Sequence, residues 1–183
     1  METRQPDTPT QFAAEKQRCR LLYGQKMMDY GTSWRVMRPS SLTDQIYIKA
    51  RRIRALQEKA EARVPEGQDD GFIAMVNYSV MALIQLEVPG SNDLEPDKAM
   101  ILYDTMLDKA TRLMDDKNHD YDEAWRLMRV SSITDIILQK LHRIKEIEDH
   151  HGHTSVSEGV EGGYMDIINY SLFALILLTE GKQ

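Results

Sequence analysis

In the second half of the chain, Ile133, Ile136, Ile137, Leu141, Ile144 and Ile147 recur at three- and four-residue intervals, the spacing that gathers side chains on one face of an amphipathic helix. Residues 167–178 are almost wholly apolar, broken only by Asn169 and Ser171. A run this short reads as a buried helix, since a membrane span needs roughly 20 apolar residues. Both patterns occur earlier in the chain as well. With Lys117 set against Lys26, an offset of 91, Asp120-Tyr121 falls on Asp29-Tyr30 and Trp125-Arg126 on Trp34-Arg35. Ser132 and Thr134-Asp135 fall on Ser41 and Thr43-Asp44, Lys140 on Lys49, and Arg143-Ile144 on Arg52-Ile53. After one inserted residue the offset is 92, and Asn169-Tyr170-Ser171 meets Asn77-Tyr78-Ser79. The chain is a tandem duplication, which has to be settled before any element is assigned.

Each copy therefore predicts the same helical series. A first helix covers about 10–28 and again 96–117, with Pro96 suited to a first turn where a missing N–H costs nothing. A polar elbow holding Asp-Tyr follows, then a short helix around Trp-Arg. The next helix opens at Ser41-Leu42-Thr43-Asp44 and at Ser132-Ile133-Thr134-Asp135, both readable as capping boxes. The last helix covers about 70–86 and 161–179, and Pro89, Gly90 and Ser91 form a turn between the copies. Two units of this size close a core best face to face. The expected fold is all-α, a pseudo-twofold helical bundle of repeats 10–88 and 96–180 packed as one globular body.

Composition narrows the function classes. Hydrophobic residues make up 42% and charged residues 28%, an ordinary globular balance. A net charge of −6 supplies no general basic field, which argues against long duplex nucleic acid as a partner. It does not exclude a mononucleotide, whose phosphates a divalent cation can bridge to carboxylates. The single cysteine, Cys19, can form neither an internal disulfide nor a CxxC site, and points to a reducing cytoplasm. Lys16, Arg18 and Arg20 nearby would lower its pKa if it were exposed; packing is the simpler reading. No membrane partner is expected, and further assembly into a homodimer stays open.

Candidate chemistry concentrates between positions 157 and 170. At about 100° per residue, Glu158, Glu161, Asp166 and Asn169 share an arc of about 140° on a helix. Gathered carboxylates repel unless a cation such as Mg²⁺ neutralises them; a solvated acidic helix start is the alternative. The glycines at 159, 162 and 163 argue against helix before Tyr164. Asp166 is replaced by Ala74 in the first copy, so a site built on it is degenerate there. Lys140 and Arg143 either clamp phosphates or form surface ion pairs. Asp135 either ligates metal or only caps its helix. Lys117, Asp120 and Tyr121 form either a binding elbow or plain turn chemistry. Trp125 either stacks on a base or fills the core. Asn169 and Asn77, inside apolar runs, each require a buried hydrogen-bond partner, structural or ligand. The run His150-His151-Gly152-His153 lacks the ligand spacing of a zinc site.

The segments Lys117-Asn118-His119-Asp120-Tyr121, Thr134-Asp135, the Lys140/Arg143-Ile144 helix and Ser157-Glu158 through Asp166-Ile167-Ile168-Asn169-Tyr170 resemble the nucleotide modification associated domain 1 family, and more distantly the MazG-like all-α nucleoside triphosphate pyrophosphohydrolases. The MazG-like resemblance implies Mg²⁺ held by acidic residues of adjacent helices and water attack that releases pyrophosphate. On this chain it implies Glu158, Glu161 and Asp166 as metal ligands, with Asp135 as a fourth. Lys140 and Arg143 would then hold phosphates, Trp125 or Tyr121 would face the base, and Asn169 would orient a carboxylate or the sugar. The expected function is Mg²⁺-dependent nucleotide binding, extending to triphosphate hydrolysis; the alternative is a non-catalytic scaffold or nucleotide sensor.

Overall fold

A computed structural model describes residues 7–59, 67–151 and 159–183. Among these, six α-helices and two short 3₁₀ helices account for the regular structure, with no strand. The first copy contains α1 (Thr8–Tyr30), a 3₁₀ turn at Ser33–Val36, α2 (Pro39–Glu58) and α3 (Gln68–Glu87). The second repeats the order with α4 (Pro96–Tyr121), a 3₁₀ turn at Ala124–Leu127, α5 (Val130–Asp149) and α6 (Val160–Thr179). Equivalent helices pack on each other across the pseudo-axis, α3 along α6 and α2 along α5; α1 crosses to α6 and α4 to α3. One continuous apolar core results, running from Phe12 to Leu177.

The duplication is legible contact by contact. Asp44 pairs with Lys145 at 3.0 Å and Asp135 with Arg54 at 3.5 Å, the same bridge made twice between α2 and α5. Arg18 pairs with Asp69 in the first copy, and Lys109 with Glu161 in the second. Glycine at 71 and 163 lets the last helix of each copy approach the middle one: a Cβ at Gly163 would lie 2.8 Å from Ile144, and one at Gly71 2.7 Å from Ile53. This explains why α6 runs through Gly162 and Gly163 from Val160, where glycine content alone argues for a break. Close helix packing decides, not propensity.

Three further expectations are corrected. The Asp-Tyr pairs are the final turns of α1 and α4, and the chain reverses one residue later, at Gly31 (φ 59°) and at Asp122-Glu123 (φ 50° and 55°). The capping boxes do not form. α2 begins at Pro39 and α5 at Val130, capped by Arg38 and Arg129 without side-chain bonds, so Asp44 and Asp135 lie inside the helices, free for the bridges above. Finally, Val160–Thr179 is 20 residues long and apolar enough to span a membrane by length and composition. Most of its length is buried here as the central core helix.

The Trp-Arg pair of each copy serves as a staple. Arg35 is buried and donates to the Gln85 side chain, to the Val88 carbonyl at 2.7 Å and to the Asn92 carbonyl at 3.2 Å, anchoring the inter-repeat turn. Arg126 donates to Thr8 at 2.6 Å, Gln11 at 2.5 Å and Glu180 at 3.2 Å, tying both chain ends to the second copy. Cys19 is fully buried, and burial pushes its thiol up to about 12. The neighbouring cations do not activate it.

Candidate functional site

Helix geometry places Asp166, Asn169, Tyr170 and Phe173 on one face of α6, and Met114, Lys117, Asn118 and Tyr121 on one face of α4. The two faces enclose a cavity of about 390 Å³, closed below by Trp125 of the 3₁₀ turn and reached from α5 by Lys140. Exposure sorts its wall into rim and floor. Tyr121 is 72% exposed, whereas Trp125, Asn169 and Phe173 are 5–7% exposed. The floor is aromatic: Trp125 stacks on Phe173 with centroids 4.5 Å apart at 12°, and Phe12 packs edge-on against both.

Charge gathers at the mouth. Asp166 is mostly covered and lies between two lysines from different helices, 3.0 Å from Lys140 Nζ and 3.4 Å from Lys117 Nζ. The pocket thus holds two cations and one carboxylate on an apolar base. The second lysine could be paired with the first only by folding, since they lie 23 residues apart in the sequence.

The other residues singled out in the sequence fall elsewhere. Arg143 is exposed and does not line the cavity. Asp120 is exposed and touches His119 at 3.4 Å. Glu161 and Asp135 are held by Lys109 and Arg54 in bridges that the first copy also makes, at Asp69 and Asp44. A pair present in both copies answers to the shared fold. Glu158 and the histidine-rich run beyond His151 lie outside the described residues. A resident divalent cation requires converging oxygen donors. Among the described residues no group of three or more His, Cys, Asp or Glu side chains could hold one, and the oxygens of Asp166 face ammonium groups. The donor set among the described residues does not fit a resident Mg²⁺.

Lining residues given no role from the sequence are Met114, Asn118, Ala124, Met128, Tyr170 and Phe173. For Met114 and Phe173 the only signal was helical register with Lys117 and Asn169, whereas Asn118 and Tyr170 lie in the segments that carry the family resemblance. The first copy has a matching cavity of about 490 Å³ around Lys26, Tyr30, Trp34 and Tyr78, with Tyr23 and Met81 where the second has Met114 and Phe173. A pocket in this place belongs to the repeated unit, and the acid at its mouth belongs to one copy.

Comparison with known families returns one model twice along the chain, at residues 26–86 and 117–178: nucleotide modification associated domain 1. The chain belongs to this family. The two matched segments begin 91 residues apart at Lys26 and Lys117, the register of the internal repeat. Each segment matched by the nucleotide modification associated domain carries most of the lining of one of the two pockets, with Tyr23 and Met114 just ahead of it. Curated proteins and solved structures give no match.

Proposed function

We propose that the protein binds a nucleotide in the pocket of its second repeat, with phosphate oxygens taken by Lys117 and Lys140 and the nucleoside over the aromatic floor. The observation that carries this reading is the pair of lysines, brought from α4 and α5 to one carboxylate at the mouth of an aromatic-lined cavity. Ammonium groups are compact point charges suited to phosphate, and the apolar, aromatic-rich wall of the cavity offers contact area to a nucleoside. The family's name, which couples this domain to nucleotide modification, agrees with it. A net pocket charge near +1 suits a short phosphate. A triphosphate would bring its own Mg²⁺, with the metal held mainly by phosphate oxygens. Hydrolysis by a metal-activated water, on the MazG-like pattern, is a further step that needs carboxylates beyond Asp166.

Isothermal titration with nucleoside mono- and triphosphates, with and without Mg²⁺, tests binding directly. Lys117→Ala and Lys140→Ala together are expected to weaken binding by about tenfold or more, the loss of charge-assisted hydrogen bonds. Lys26→Ala with Lys49→Ala, at the equivalent positions of the first copy, should leave it unchanged. No heat and no thermal shift with any nucleotide would remove the proposal. Binding without turnover identifies a sensor, and turnover identifies an enzyme.

A further inference from the structure

The two pockets share a rim tyrosine and differ in the elbow that carries it. Tyr121 ends α4 and Tyr30 ends α1, and each lines its cavity while 72% and 71% exposed, respectively. In the first copy the turn beyond the tyrosine is fixed. Gly31 takes a positive φ that glycine adopts freely, and its N–H closes the helix on the Met27 carbonyl at 2.8 Å. Thr32 is buried and accepts from the Leu94 N–H at 2.8 Å, which ties this elbow to the inter-repeat segment.

The second elbow lacks these restraints. Asp122 and Glu123 stand where the first copy has Gly31 and Thr32. Both take left-handed φ, 50° and 55°, at a steric cost that glycine does not bear. Among the described residues the Asp122 N–H makes no closing bond to α4, and the Glu123 side chain reaches Arg126 alone, at 3.2 Å within the same elbow. Beyond Met114, the last buried residue of α4, every residue through Tyr121 is exposed or half-buried. The end of α4 is therefore a strained, lightly held projection. It carries Lys117 and Tyr121, four residues apart, on the cavity side. The rings of the floor are already engaged: Trp125 is stacked on Phe173 and has the Arg126 guanidinium 4.6 Å from its centre, while Phe173 receives Phe12 and Tyr170 edge-on. Tyr121 is the lining ring left open to solvent.

We infer that the end of α4 is the closing wall of the second pocket, bringing the Tyr121 ring onto the face of a nucleobase while Lys117, one turn earlier, holds the phosphate. Both ends of the ligand then engage one movable element. The first pocket, with its elbow fixed, does not close. This inference rests on nucleotide binding at Lys117 and Lys140, and names the residue that holds the base and the part that moves.

Calorimetry and amide exchange on the full chain test it. Tyr121→Leu, at an exposed position, should weaken the tightest of AMP, GMP, CMP and UMP about tenfold, the worth of one base–aromatic contact. Ribose 5-phosphate and inorganic phosphate should bind this variant unchanged. Tyr121→Phe should restore nucleotide affinity, and Tyr30→Leu should not alter it. In the free protein the Asp122 amide should exchange at least about tenfold faster than the Gly31 amide, each relative to its unstructured rate, and should slow by a similar factor when nucleotide binds. Unchanged nucleotide affinity in Tyr121→Leu, or an equal loss for phosphate and nucleotide, would overturn the role of Tyr121. Equal protection at Asp122 with and without nucleotide would overturn the closing wall. Phosphate binding with no advantage for any nucleotide would remove this inference and leave the lysines their role, whereas failure of every nucleotide and of inorganic phosphate to bind the unaltered protein would remove both readings together.

Discussion

Replacing Asp166 by asparagine separates an anion pocket from a metal site, because the two give opposite signs. The carboxylate lies 3.0 and 3.4 Å from the two ammonium groups that would hold phosphate. A phosphate seated on both lysines therefore comes within about 4–6 Å of it. Two unit charges 4 Å apart repel by about 1 kcal/mol in water and about 4 kcal/mol at an effective dielectric of about 20. With Lys117 more than half exposed, the lower end applies, about 1 kcal/mol or about fivefold in affinity. Asp166→Asn keeps the shape and removes this repulsion, so phosphate and a nucleoside monophosphate should bind about fivefold tighter in EDTA, with a smaller gain at high salt. The free protein should meanwhile lose up to about 1 kcal/mol, the worth of two partly exposed ion pairs. The free melting temperature should fall while the ligand-induced shift grows. Titration calorimetry and thermal melts on both proteins read the two effects separately. Weaker binding of inorganic phosphate to Asp166→Asn without metal would refute the assignment of the lysines. A loss confined to Mg²⁺-containing titrations would restore the metal site.

Other perturbations follow from the repeated contacts. Gly163→Ala drives a Cβ to within 2.8 Å of Ile144, whose side chain is buried and β-branched; the overpacking cost of about 1–3 kcal/mol should exceed the gain of up to about 1 kcal/mol in helix propensity, giving a lower urea midpoint, and an unchanged midpoint would show that Ile144 yields freely. Glu148 occupies the position of Gln57, whose amide donates to Thr134 at 2.9 Å; its own carboxylate lies near Thr43 without a regular bond. Burial raises the Glu148 carboxyl, and Asp44 and Asp149 add to this despite Thr43 and Lys145, so its stabilising share is complete below the unfolded value near 4.5 and is lost as pH rises through the folded one. Glu148→Gln should therefore stabilise the protein at neutral pH by about 1 kcal/mol, one net hydrogen bond, and flatten stability against pH above the ordinary carboxylate range; a parallel pH profile would contradict the linkage. Cys19, buried and with its thiol raised to about 12, should react with a thiol reagent only at the rate of unfolding, and fast labelling of the native protein would contradict its burial.

The helical class and the duplication were readable because both are written in local periodicity and in a register of 91–92 residues. What escaped depended on which helix lies opposite. Lys140 could be named from its charge, but its convergence with Lys117 on Asp166 needs α4, α5 and α6 at once. Glu161 and Asp135 look like metal ligands along the sequence because their cationic partners, Lys109 and Arg54, are distant in it. The capping boxes misled because both helices start two residues before the serine, α2 at Pro39, a residue suited to a first turn, and α5 at Val130, which leaves the serine-threonine pattern inside the helix. Phe12 carries no signal until it is seen packing edge-on against Trp125 and Phe173 of the other repeat.

A duplicated chain carries its own control. Bridges and glycines shared by both copies, such as Asp44–Lys145 with Asp135–Arg54 and Gly71 with Gly163, answer to the common fold. Differences confined to one copy need another explanation, and the charged one at the cavity is Asp166, which stands where the first copy has Ala74. In the second copy an acid stands between two lysines at the mouth of the cavity. A carboxylate between two cations over an apolar pocket, in one copy alone, is the pattern of a site whose partner arrives from solution. On that argument the first repeat supplies Phe12 and the packing surface, the second supplies the pocket, and excising either repeat should abolish binding along with the fold.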